Sequence, residues 1–102
     1  MCLLFSRCDW LLPVPVHSLH PGDRVWSTSC SSSSLLAVGT SATRGTPPLR
    51  LYDLASGHHL QDMGLELKNG AGMLDMAWLS DSTLLSCGYD TFTRLWDTRC
   101  RY

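Results

Sequence analysis

Along this chain, apolar and polar residues alternate in short runs of about four to seven, divided by clusters of Gly, Pro, Ser and Asp. A period of two turns successive side chains to opposite faces, the pattern of a strand packed on a core. It predicts strands over Pro15–Leu19, Val25–Cys30, Leu35–Thr40, Leu49–Leu54, His58–Met63, Met73–Leu79, Thr83–Gly88 and Phe92–Asp97. Nowhere does an uninterrupted amphipathic helical period run between two caps. The expected fold class is all-β.

The predicted strands fall into two sets that can be laid on each other. Val25-Trp26-Ser27-Thr28 matches Leu74-Asp75-Met76-Ala77, and Leu35–Gly39 matches Leu84–Gly88, both at an offset of 49. Arg50-Leu51-Tyr52-Asp53 matches Arg94-Leu95-Trp96-Asp97 at an offset of 44, so five extra residues are expected before the third strand of the first set. In that strand Leu49, Leu51 and Asp53 share one face and Arg50, Tyr52 and Leu54 the other; Leu95 and Trp96 split likewise. Large apolar groups on both faces predict sheets stacked between sheets.

Length sharpens the expectation. With 102 residues the chain is at most one small domain, and such a domain buries only about two thirds of the surface its unfolded chain exposes. A formal charge of −1 with 17% charged residues offers no electrostatic footprint for nucleic acid or an anionic membrane surface. Five cysteines at irregular spacing (Cys2, Cys8, Cys30, Cys87, Cys100) fit neither a disulfide framework nor a metal knuckle and read as reduced thiols of an intracellular, cytoplasmic or nuclear protein. The apolar start, MCLLFSRCDWLLPVPV, is interrupted by Arg7 and Asp9 and lacks a small-residue cleavage site, and no run reaches the ~20 residues of a membrane span.

The stretch LLSCGYDTFTRLWDTR, preceded by DMAWLSDST, resembles a WD repeat. RVWSTSCSSSSLLAVGT followed by PLRLYDLASGHHL resembles a divergent second one, with Tyr52 where the family's tryptophan stands. The resemblance implies a partial β-propeller of about two blades, each a four-stranded antiparallel sheet. It divides the chain into an unassigned segment 1–13, an outer strand and loop of a preceding blade over 14–22, a first blade over 23–63, an inter-blade loop over 64–72 and an incomplete second blade over 73–102. Taken further, the runs DRVWS, PLRLYDLASG and GAGMLDM resemble the F-box/WD subfamily, whose members are substrate-recognition subunits of cullin-type ubiquitin ligases in the ubiquitin conjugation pathway. None of the 102 residues resembles an F-box, the element that recruits the ligase adaptor.

The family's blades are locked by a hydrogen-bonded chain of Asp, Ser or Thr, Trp and His, and here the resemblance assigns Ser86, Asp90 and Trp96 to three of its places. At the histidine's place stands Gly70; in the first repeat the same spacing lands on Pro21, with His20 one position off, and the expected turn carries no Asp. Two long loops, Ser41–Pro48 with Arg44 and Gly64–Gly72 with Lys68, are expected on one rim, where they would meet a protein partner.

Reactive residue types elsewhere read as architecture. Cys87, matched to Val38 at the offset of 49, is expected to be a buried structural thiol rather than a nucleophile, since no histidine lies near it in sequence. His58 and His59 are neighbours on a strand and point apart, while His17 and His20 lie far off in sequence, so no metal site is expected. NGAGML lacks the spacing of a nucleotide-binding loop, and CSSSS reads as a polar turn. No catalytic residue and no cofactor is expected. The function expected from sequence is that of a protein-interaction scaffold in ubiquitin-dependent degradation, the alternative being a WD-repeat scaffold of a complex unrelated to ubiquitination.

Overall fold

The computed structural model describes residues 2–5, 15–43, 45–67 and 71–99, and its secondary structure is entirely β. A short pair, β1 (Cys2–Phe5) and β2 (Pro15–Leu19), is followed by a four-stranded antiparallel sheet: β3 (Val25–Cys30), β4 (Leu35–Thr40), β5 (Leu49–Asp53) and β6 (His59–Met63). A three-stranded sheet of β7 (Met73–Trp78), β8 (Thr83–Gly88) and β9 (Thr93–Asp97) stacks on it. Each strand from β2 onward lies within a residue of the run that alternation predicts. β1 was not anticipated, because its apolar run lacks alternation.

Turn chemistry closes the hairpins where serines cluster. In the CSSSS turn the Ser31 hydroxyl accepts from the N–H groups of Ser33 (3.2 Å) and Leu35 (3.1 Å). Ser80 does the same for Ser82 (3.3 Å) and Thr83 (3.1 Å) between β7 and β8. Such local side-chain bonds hold the chain in a turn and start each strand pair in a fixed register.

That register corrects the repeat. Val25 pairs with Thr40 and Met73 with Gly88, and the bulge between Val25 and Ser27 recurs between Met73 and Asp75. Structural equivalence in the first two strands therefore runs at an offset of 48, and four extra residues, rather than five, precede β5. Val38 corresponds to Ser86, and Cys87 corresponds to Gly39. A slip of one residue turns a side chain to the opposite face of a sheet. Cys87 is accordingly exposed, not the core thiol that sequence matching suggests.

The main core lies between the two sheets: Ala37, Leu49, Leu51 and Met63 meet Met73, Met76, Leu84 and Trp96. Leu49, Met63, Met73 and Leu84 are completely buried, each contributing roughly 1.5–3 kcal/mol of apolar transfer. A second cluster of Leu19, Leu36, Val38 and Tyr52 covers the other face of the four-stranded sheet. The predicted split of Leu51 and Tyr52 between faces thus gives that sheet burial on both sides. In the three-stranded sheet the Trp96 face is covered, while on the other face Leu95 is 64% exposed among the described residues.

Polar bonds hold the two sheets in place. Ser27 Oγ donates to the Met73 carbonyl (2.8 Å), the Trp78 indole N–H donates to the Ser29 carbonyl (2.9 Å), and Ser32 donates to the Asp81 carboxylate. The seam is close enough that a Cβ on Gly39 would stand 2.4 Å from Ser27 Oγ and 2.7 Å from Met73 Cβ. Only glycine fits there.

Candidate functional site

At one end of the stacked sheets the β4–β5 connection, the β8–β9 turn and the chain entering β3 and β7 converge. Ser41 N–H donates to the Arg24 carbonyl (3.0 Å), and Tyr89 N–H donates to the Gly72 carbonyl (2.8 Å). These two bonds tie the loops of each sheet to the strand beside them. Gly72 lies against the Trp26 ring, where a Cβ would come within 2.5 Å of a ring carbon.

Asp23 organises the first of these loops. Its carboxylate accepts from Arg24 N–H (2.7 Å), Thr43 N–H (2.9 Å) and the hydroxyls of Ser41 (2.9 Å) and Thr43 (3.1 Å). Desolvation opposes its charge, but the hydrogen bonds from Thr43, Arg24 and Ser41 outweigh it and hold the carboxyl far below the usual carboxylate range. The β4–β5 turn carries no aspartate of its own. The structure supplies the carboxylate from the other side, just before β3; the signal available was Asp23 at the strand entry with hydroxyls at 41 and 43.

In the second sheet Ser86 and Trp96 come together: the indole N–H donates to Ser86 Oγ at 2.8 Å, both groups buried. Asp90 lies instead with Arg94, accepting from Nη2 (2.7 Å) and Nη1 (3.2 Å), and takes a further bond from Phe92 N–H (3.3 Å). The Arg94 guanidinium first, and then the Phe92 N–H, keep its carboxyl below the ordinary value. Arg44 and Lys68, the two loop cations expected to meet a partner, lie outside the described residues.

Arg50, which corresponds to Arg94, was not singled out by sequence reasoning, although its recurrence was visible. Its Nε donates to Asp62 Oδ1 (2.7 Å) and its Nη1 to the Pro21 carbonyl (2.5 Å), joining β5 to β6 and to the loop before β3. His59 Nε2 shares Asp62 Oδ1 at 2.6 Å. The Asp62 bonds raise the pKa of Arg50, while the hydrogen bonds from Arg50 and His59 overcome desolvation and lower that of Asp62.

The rim bears an aromatic patch. Trp26 and Tyr89 rings meet at 5.9 Å and are tilted by 58°, and the Arg94 guanidinium sits 5.1 Å from the Phe92 ring centroid. Tyr89 is 67% and Phe92 62% exposed. Aromatic groups held open to water on the β8–β9 turn, with Trp26 of β3 beside Tyr89, form a contact surface of the kind that protein partners use. No group of three or more His, Cys, Asp or Glu side chains able to hold a metal ion occurs among the described residues, and no helix among them is long and apolar enough to cross a membrane.

Stacked antiparallel sheets of four and three strands are an arrangement that WD-repeat β-propellers use. Over 85 residues the chain is 45% identical to F-box/WD repeat-containing protein 4 of Mus musculus, a match covering 82% of this chain and 21% of the relative. The protein of the same name in Homo sapiens is 44% identical over 85 residues. The chain therefore spans about a fifth of the length of the curated relatives it matches. No family model matches the chain, and no solved structure gives a significant match.

Proposed function

We propose that the chain is a protein-interaction scaffold whose contact surface is the rim formed by Trp26, Tyr89 and Phe92. The observation that carries this reading is the exposure of Tyr89 and Phe92 on a turn fixed by Asp90–Arg94 and by the bond to Gly72. A rigid turn presenting aromatics loses little conformational entropy on binding. Long loops carrying Arg44 and Lys68 would extend the same surface.

The similarity to proteins named F-box/WD repeat-containing protein 4 supports a finer reading, recognition of a degradation substrate for a cullin-type ubiquitin ligase. A polypeptide bearing blades alone would bind such a substrate without delivering it. Affinity purification of the chain and of a Tyr89→Ala/Phe92→Ala variant from human cells tests the scaffold reading. The expected result is a set of partners lost in the variant while its far-UV circular dichroism is unchanged; equal recovery with both proteins would sink it. Overexpression of the chain should lengthen the half-life of a partner that is a ligase substrate. Unchanged turnover of every partner would refute the ubiquitin reading and leave the scaffold intact.

A further inference from the structure

We propose that Ser32 is a phosphorylation site, and that a phosphate placed there opens the seam between the two sheets at the end away from the aromatic rim. The partner of its hydroxyl carries the inference. Ser31, Ser32, Ser33 and Ser34 form the turn between β3 and β4. The Ser31 hydroxyl is buried and spent inside the turn on the N–H groups of Ser33 and Leu35, and Ser33 Oγ lies 3.0 Å from it. Ser32 instead faces out and donates across the seam to the Asp81 carboxylate, in the turn between β7 and β8. It closes a row of side-chain bonds between the sheets, after Ser27 to the Met73 carbonyl and Trp78 to the Ser29 carbonyl.

Both partners are within reach of a modifying enzyme: Ser32 and Asp81 are exposed, and Ser32 sits at a hairpin tip, where local opening is cheap. A protein kinase would pass the terminal phosphoryl group of a nucleoside triphosphate to Ser32. The Oγ–P bond forms, the bond from phosphorus to the departing nucleoside diphosphate breaks, and the hydroxyl proton leaves to the kinase's base. The donor that held Asp81 is thereby consumed. In its place stand acceptor oxygens with a charge of about −1.5 to −2, facing a carboxylate. Among the described residues no Lys, Arg or His forms an ion pair with Asp81 to absorb that charge. Like charges then push the two turns apart. The rim lies at the opposite end of β3, so the proposal holds whether or not the rim binds anything.

Two measurements on the 102-residue chain test it. Incubated in native form with human cell extract and ATP, the chain should take up phosphate at Ser32, mapped by mass spectrometry, and Ser32→Ala should remove that phosphopeptide. Absence of phosphate from Ser32, or its uptake only after the chain is unfolded, would overturn the site. With phosphoserine installed at position 32 during translation, urea denaturation should show an unfolding constant about fivefold to thirtyfold above that of Ser32→Ala. The excess should shrink at about 1 M salt, where charges are screened beyond about 3 Å, and should largely vanish with Asp81→Asn. A phosphorylated chain no less stable than Ser32→Ala, or a loss that persists in full with Asp81→Asn, would overturn the opening of the seam. Should the phosphorylated chain fail to fold, Asp81→Asn must restore folding; continued failure counts against the proposal.

Discussion

The indole N–H of Trp96 donates to the hydroxyl of Ser86 at 2.8 Å in the core between the sheets, where the first repeat has Tyr52 and Val38 in the corresponding places. A buried serine where the sister strand carries valine is tolerable because its oxygen is satisfied. Removing either partner leaves the other without its bond. Trp96→Phe and Ser86→Ala should each lower unfolding free energy by about 1–3 kcal/mol, the loss for Trp96→Phe including a cavity. A double-mutant cycle read by urea denaturation should give a coupling of about 1 kcal/mol, and additive losses would show the bond to be inconsequential.

Gly39→Ala should open the seam. The added methyl meets Ser27 Oγ and Met73 Cβ at distances that real contacts do not reach, and Met73 is held by the completely buried core around it. A loss of about 1–3 kcal/mol is expected from overpacking. Shortening the clashing hydroxyl with Ser27→Gly should recover only part of it, because Met73 Cβ remains in the way. Thermal denaturation of the single and double variants checks both statements.

Asp23 predicts an acid limb. Its folded pKa is depressed, so its contribution to stability is fully present above the unfolded carboxylate value of about 4 and is lost as pH falls from there toward the lower folded value. Asp23→Asn should therefore lower stability at pH 7 and flatten the decline of stability below about pH 4. Denaturant midpoints measured at several pH values from neutrality to about pH 3 would reveal it; parallel curves for the two proteins would contradict the assignment.

Cys87 and Cys30 are exposed thiols, so both should react with an aromatic disulfide reagent in the native state. Cys87→Ser should lower the number of rapidly reacting thiols by one. Labelling of Cys87 only after unfolding would place it in a core and restore the sequence-based alignment.

Alternation by itself determined the strands, since a period of two is a local property and the turns between strands are written in Ser, Gly and Asp. It determined the two-sided burial of β5 too, because Leu49, Leu51 and Tyr52 cannot all face water, and the recurrence of Arg-Leu-Tyr-Asp as Arg-Leu-Trp-Asp announced the repeat. Only the tertiary structure decided the register. Matching Leu-Leu to Leu-Leu and Gly39 to Gly88 looked better in the sequence, but the shared bulge and hairpin lengths set the offset at 48, and one residue decides which face a side chain takes. That slip is why Cys87 lies outside the core that sequence matching gives it. The partners of Asp23 and Arg50 were equally invisible, because Thr43 lies 20 and Pro21 29 residues away along the chain and closeness in space depends on how strands fold back. The same folding back sends a recurring arginine to different partners: Arg50 meets Asp62 across β5 and β6, and Arg94 meets Asp90 in the β8–β9 turn.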